Sequence, residues 1–68
     1  MRIICTAAID NPEERERFAK ELKQLGMKPE ISNSSVFIEY IGYNEPKYEA
    51  IIKLFEEKHR HNINIRND

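Results

Sequence analysis

The side chains best suited to hold a metal ion are one cysteine and two histidines, Cys5, His59 and His61. A structural zinc site normally takes four thiolate or imidazole ligands at short, regular spacings, and these residues match no such pattern. Cys5 lies in an apolar run, where a small buried thiol is the simplest interpretation. We therefore predict no metal ion and no other cofactor.

The sequence gives equally little support for a catalytic site. Three serines fall in the polar turn 32–35, and no motif brings a histidine beside them as a general base. Paired glutamates occur at 13–14 and 56–57, but neighbours on a helix point in different directions and make poor acid–base partners. The two glycines, Gly26 and Gly42, form no phosphate-binding loop. The sequence predicts a protein that is not an enzyme.

Length and composition set limits on the remaining functions. The 68 residues are predicted to form a single domain, 1–68, with a net charge of −1. A chain this short buries only about 60% of the surface that its unfolded form exposes, so folds of this size usually need a disulfide, a metal or a partner subunit. A single cysteine favours a reducing, cytoplasmic location. No apolar run reaches the roughly 20 residues that span a bilayer, so no membrane association is predicted.

The first two elements are an inner strand and an amphipathic helix. Residues 2–9 alternate with apolar side chains on both faces, which is typical of an inner strand. Asn11 is the predicted cap of the helix, and Pro12 suits its first turn. Gly26 is the predicted end of the helix, with Met27 folding back on it in a Schellman turn.

A predicted hairpin occupies the middle of the chain. Residues 27–32 alternate but contain Pro29, which lacks a ladder donor and therefore favours a sheet edge. Residues 35–41 are the most strand-like run in the chain, rich in β-branched and aromatic side chains, and are predicted as a central strand. A turn of two or four residues gives a register in which Ile31 faces Val36. Both side chains are then expected on the core side.

The chain closes with a second helix and a short strand. Asn44 is the predicted cap of the helix. Its apolar stripe runs from Tyr48 to His59 at helical spacing. Residues 62–66 alternate cleanly between polar and apolar side chains and are predicted as an edge strand.

The resulting order, β-α-β-β-α-β, resembles the ferredoxin-like arrangement. This resemblance implies an α+β fold, with a four-stranded antiparallel sheet in the order 4-1-3-2 and both helices on one face. The proline-bearing and polar strands then fall at the edges. Heavy-metal-binding members of this fold carry paired cysteines after the first strand, whereas residues 8–11 contain none. The resemblance is to a fold that hosts many functions, and it implies no particular activity.

The side of the sheet away from the helices has no covering element in this arrangement. A small monomer seldom leaves a contiguous apolar patch exposed unless something binds it. We therefore predict a protein-interaction or regulatory module that binds another protein or forms a homodimer. The open face and the edge of strand 62–66 are the two surfaces available for this. The predicted partner surface on the open face consists of Ile4, Thr6, Phe37, Glu39 and Ile41.

Small-ligand sensing and RNA binding are the two alternative functions. Small-ligand sensing would use a polar loop after the first strand, to which Asp10 and Asn11 could contribute. RNA-recognition modules of the same topology stack bases on aromatic side chains of the two central strands. Here Phe37 has no aromatic neighbour on the first strand, and Glu39 would repel phosphates. Nucleic-acid binding is therefore disfavoured.

Overall fold

The six predicted elements follow one another in the predicted order. The computed structural model describes residues 2–67 and has the order β-α-β-β-α-β. The elements are β1 Arg2–Ala8, α1 Pro12–Gln24, β2 Glu30–Ile31, β3 Ser35–Ile41, α2 Glu45–His59 and β4 Ile63–Asn67. Neither described helix is long and apolar enough to cross a membrane.

The four strands form one antiparallel sheet in the order β2-β3-β1-β4. This is the predicted order 4-1-3-2 counted from the opposite edge, so the α+β architecture and the strand order are confirmed. Cys5 of β1 lies between Ile38 of β3 and Ile65 of β4. The last strand joins the sheet as expected and continues as far as Asn67.

The strand β2 is shorter than the sequence predicts. It contains two residues rather than the six from 27 to 32, because Pro29 lacks the donor that would extend its ladder. The expected pairing of Ile31 with Val36 is confirmed. Ile31 therefore lies on the same side of the sheet as the buried Val36, as predicted, but it is 48% exposed. A strand this short and at the edge has little chain on either side to cover the side chain.

Both helices pack against the same side of the sheet. They share one core with alternate residues of β1 and β3, and the rings of Phe18 and Phe55 meet edge to face with centroids 4.9 Å apart. Edge-to-face geometry is favourable for aromatic pairs and joins α1 to α2. The buried hydrophobic side chains of this core are Ile3, Cys5, Ala7, Ile9, Phe18, Ala19, Leu22, Met27, Val36, Ile38, Tyr40, Ile51 and Phe55.

Asparagine side chains cap the starts of both helices. The Oδ1 of Asn11 accepts hydrogen bonds from the backbone N–H groups of Glu13 and Glu14, at 2.9 and 3.1 Å. The Oδ1 of Asn44 accepts one from the N–H of Lys47 at 3.0 Å. Each bond satisfies a donor that has no partner inside the helix. The two predicted caps are therefore confirmed.

Candidate interaction surface

The sheet face opposite the helices brings together all five residues of the predicted partner surface. In the register of β1 and β3, Ile4 lies opposite Glu39 and Thr6 opposite Phe37. Side chains alternate between the two faces of a strand, so these four share the face that the buried core residues do not use. Ile41 lies at one end of the same face. We call this surface the open face.

The apolar part of the open face is narrow. Ile4 and Phe37 are half-buried on neighbouring strands, whereas Ile41 is 69% exposed. A shallow depression of about 430 Å³ crosses the face beside Phe37. Its lining residues are Arg2, Ile4, Lys28, Glu30, Phe37, Ile38 and Glu39. The surface is therefore an apolar centre within a ring of charged side chains of both signs.

An ion pair crosses the open face diagonally from β1 to β3. The Nη2 of Arg2 lies 2.6 Å from the Oε2 of Glu39, and the Nε donates a hydrogen bond to the same oxygen at 2.7 Å. Both side chains are about half exposed, so the pair contributes little to stability. It nevertheless neutralises the Glu39 carboxylate, which lies opposite Ile4 at the border of the apolar centre. Sequence reasoning missed this pair, because only the register between β1 and β3 places the two residues together.

Several polar groups of the loop after β1 form hydrogen bonds within the chain. Asn11 caps α1, and the Nη1 of Arg15 donates to the carbonyl oxygens of Ile9 and Asp10 at 2.7 and 2.9 Å. Arg15 is only 9% exposed. A buried guanidinium needs such acceptors. These contacts involve the Asn11 side chain and two backbone carbonyl oxygens of the loop, and Asp10 is exposed.

The three residues considered as metal ligands have different environments. Cys5 is fully buried in the core, and burial raises the pKa of its thiol to about 11. The imidazole of His59 packs edge to face on the ring of Phe18 with centroids 4.7 Å apart, while His61 is exposed. Among residues 2–67, no group of three or more His, Cys, Asp and Glu side chains could hold a metal ion.

Comparison with known proteins adds information on the fold. No family model and no curated protein matches the sequence. The chain is similar in fold to the structured domain of Boca from Drosophila melanogaster. The TM-score is 0.55 at 12% identity, and the match covers 100% of this chain and 99% of that domain. At this identity the likeness concerns the arrangement of elements alone.

Proposed function

We propose that this protein is a non-enzymatic protein-interaction or regulatory module with a ferredoxin-like fold, and that the open face binds a second copy of the chain. The observation that carries the proposal is the uncovered sheet face with its apolar centre and the exposed Ile41. Exposed apolar side chains on one contiguous surface, rimmed by polar groups, are typical of protein interaction sites.

The charge pattern of the open face favours a second copy as the partner. Basic side chains (Arg2 and Lys28) and acidic side chains (Glu30 and Glu39) line the same depression. Arg2 and Glu39 pair within each copy. A two-fold axis places the patch against itself in the opposite direction, so Lys28 of one copy can meet Glu30 of the other. Self-association would also supply the additional stabilisation that a domain of this size generally requires.

The proposal includes a cellular location, which is argued from the single cysteine. Cys5 is a free thiol within the core. Unpaired thiols persist in reducing compartments, which supports a cytoplasmic location. We propose that the module acts without a bound metal or other cofactor, because the residues considered as metal ligands lie in separate environments or inside the core.

Light scattering of the full chain and three variants tests the open face. The Phe37→Asp and Ile4→Asp variants each add a carboxylate at the apolar centre and are expected to be monomeric where the wild type is dimeric. Ile31→Asp is the matched control, because Ile31 is an exposed isoleucine on β2 outside this surface, and this variant should keep the wild-type mass. A wild type that stays monomeric at high concentration, or an unchanged mass for Phe37→Asp, would contradict the proposal.

A further inference from the structure

The outer edge of β4 is a second surface with the properties of an interaction site. The strand lies at the end of the sheet and runs for five residues, from Ile63 to Asn67. The opposite edge, β2, has only two residues and follows Pro29, so it can add few hydrogen bonds. Proline and shortness are common protections against sheet extension, and β4 has neither.

The backbone of β4 directs alternate hydrogen-bonding groups away from the sheet. The N–H of Ala8 donates to the carbonyl of Asn62 at 2.8 Å, so Ala8 and Asn62 form a hydrogen-bonded pair of the ladder between β1 and β4. Hydrogen-bonded and non-bonded pairs alternate along an antiparallel ladder. Asn64 therefore bonds to β1, whereas the N–H and C=O groups of Ile63 and Ile65 point to the outer edge, as do those of Asn67.

Partly exposed apolar side chains form a continuous surface beside this edge. Ile63 and Ile65 lie on the helix side of the sheet, where they pack against the core while remaining partly exposed. Tyr48 and Ile52 of α2 are partly exposed in the same way. The hydroxyl of Tyr48 donates to the Oδ1 of Asn67 at 3.3 Å, so this flank of α2 lies over β4. A strand added at the edge would cover these apolar groups.

We propose that β4 pairs with β4 of a second copy in antiparallel orientation, about a two-fold axis at Ile65. The proposal rests on the proposed self-association, for which it names the β4 edge as the alternative to the open face. In this register Ile65 lies opposite Ile65 of the second copy, and Ile63 lies opposite Asn67 of the second copy. The outward-pointing N–H and C=O groups of both strands therefore face one another. It also aligns the whole of β4, whereas other registers leave part of it unpaired.

The side chains of both faces are compatible with this pairing. On the open face, Arg66 lies opposite Asn64 rather than opposite a second arginine, which avoids a direct like-charge pair.

On the helix side the two α2 helices run antiparallel. Charged side chains of both signs line this flank of α2, namely Glu49, Lys53, Glu56, Glu57 and Arg60. Two antiparallel helices therefore bring a mixed set of charges together rather than a run of one sign. The sheets become continuous, and the open faces of both copies point the same way.

Amide hydrogen exchange of the wild-type full chain, followed by NMR, tests the register directly. At a concentration where light scattering shows a dimer, the amides of Ile63, Ile65 and Asn67 should exchange at least about tenfold more slowly than after dilution to the monomer. The amides of Asn64 and Arg66 bond to β1 in either state and serve as internal controls.

The outcomes distinguish the edge from the open face. A dimer in which the three outward amides exchange freely overturns the edge pairing and leaves self-association through the open face standing. A dimer of Phe37→Asp that keeps their protection supports the edge and contradicts the open face as the dimer surface. A chain that is monomeric at all concentrations overturns both proposals.

Discussion

The thiol of Cys5 behaves as a small apolar group in the centre of the sheet. It is fully buried between β3 and β4, and loss of hydration disfavours the thiolate. Burial therefore raises the pKa of Cys5 from an ordinary value of 9.0 to about 11. Since the thiolate is the nucleophile, the folded protein should react slowly with thiol reagents at neutral pH.

The raised pKa of Cys5 predicts a loss of stability in alkaline solution. The unfolded chain releases the thiol proton near pH 9, whereas the folded chain holds it to about pH 11. The contribution to stability is thus complete below pH 9 and falls by about 2 to 3 kcal/mol between pH 9 and 11. Urea unfolding across this range measures it. The Cys5→Ala variant is the control and should show a smaller decline, and equal declines in both proteins would rule out the thiol as the cause.

At the scale of single elements, the end of α1 shows how a local pattern specifies backbone conformation. Gly26 has a φ of +82°, in the left-handed region that side chains rarely adopt. The N–H of Met27 donates to the carbonyl of Leu22 at 3.0 Å, and that of Gly26 donates to Lys23 at 2.9 Å. These two bonds define the predicted Schellman turn, which reverses the chain towards β2.

Replacing Gly26 should destabilise the protein through its backbone. Gly26→Ala forces a Cβ into the left-handed region and should cost about 1 to 2 kcal/mol. Its Cβ would meet only the flexible end of Lys47, at 3.3 Å, so steric overlap adds little. Gly26→Asn is the matched variant and should lose less, because asparagine tolerates this conformation. Thermal unfolding of both variants tests the ranking, and a Gly26→Ala protein as stable as the wild type would disprove the assignment.

At the scale of the whole molecule, the proposed self-association would add to the stability that a small core provides. Burial of either the open face or the β4 edge in a dimer would remove from water apolar area that the single chain leaves exposed. For a dimer that unfolds to separate chains, the folded state is favoured by mass action as the concentration rises.

The melting temperature is therefore expected to rise with protein concentration. Each tenfold increase adds about 1.4 kcal/mol per dimer, which corresponds to about 5 °C for a dimer of this total length. Calorimetry of the wild type over two decades of concentration measures the shift. Phe37→Asp is the comparison, and its midpoint should be independent of concentration if the open face is the main contact. A wild-type midpoint that does not move would contradict a folded dimer.

Local patterns in the sequence determined the kinds of element, their order and most of their ends. Alternation at period two marks the strands, helical spacing marks α1 and α2, and Asn11, Asn44 and Gly26 define three helix ends through short-range hydrogen bonds and backbone preference. The strand order followed from the handedness of the connections and from which strands could tolerate an edge. The five side chains of the open face share one surface for the same reason, since alternation alone assigns them to it.

Only the tertiary structure decided which distant residues meet. The ion pair between Arg2 and Glu39 depends on the register of two strands that are far apart in the chain. The burial of Arg15 depends on two carbonyl groups of the loop before α1. The exposure of Ile31 follows from how little of β2 pairs with β3. Periodicity reports what one element prefers, whereas these contacts depend on how the elements are positioned against each other by the packing of the shared core.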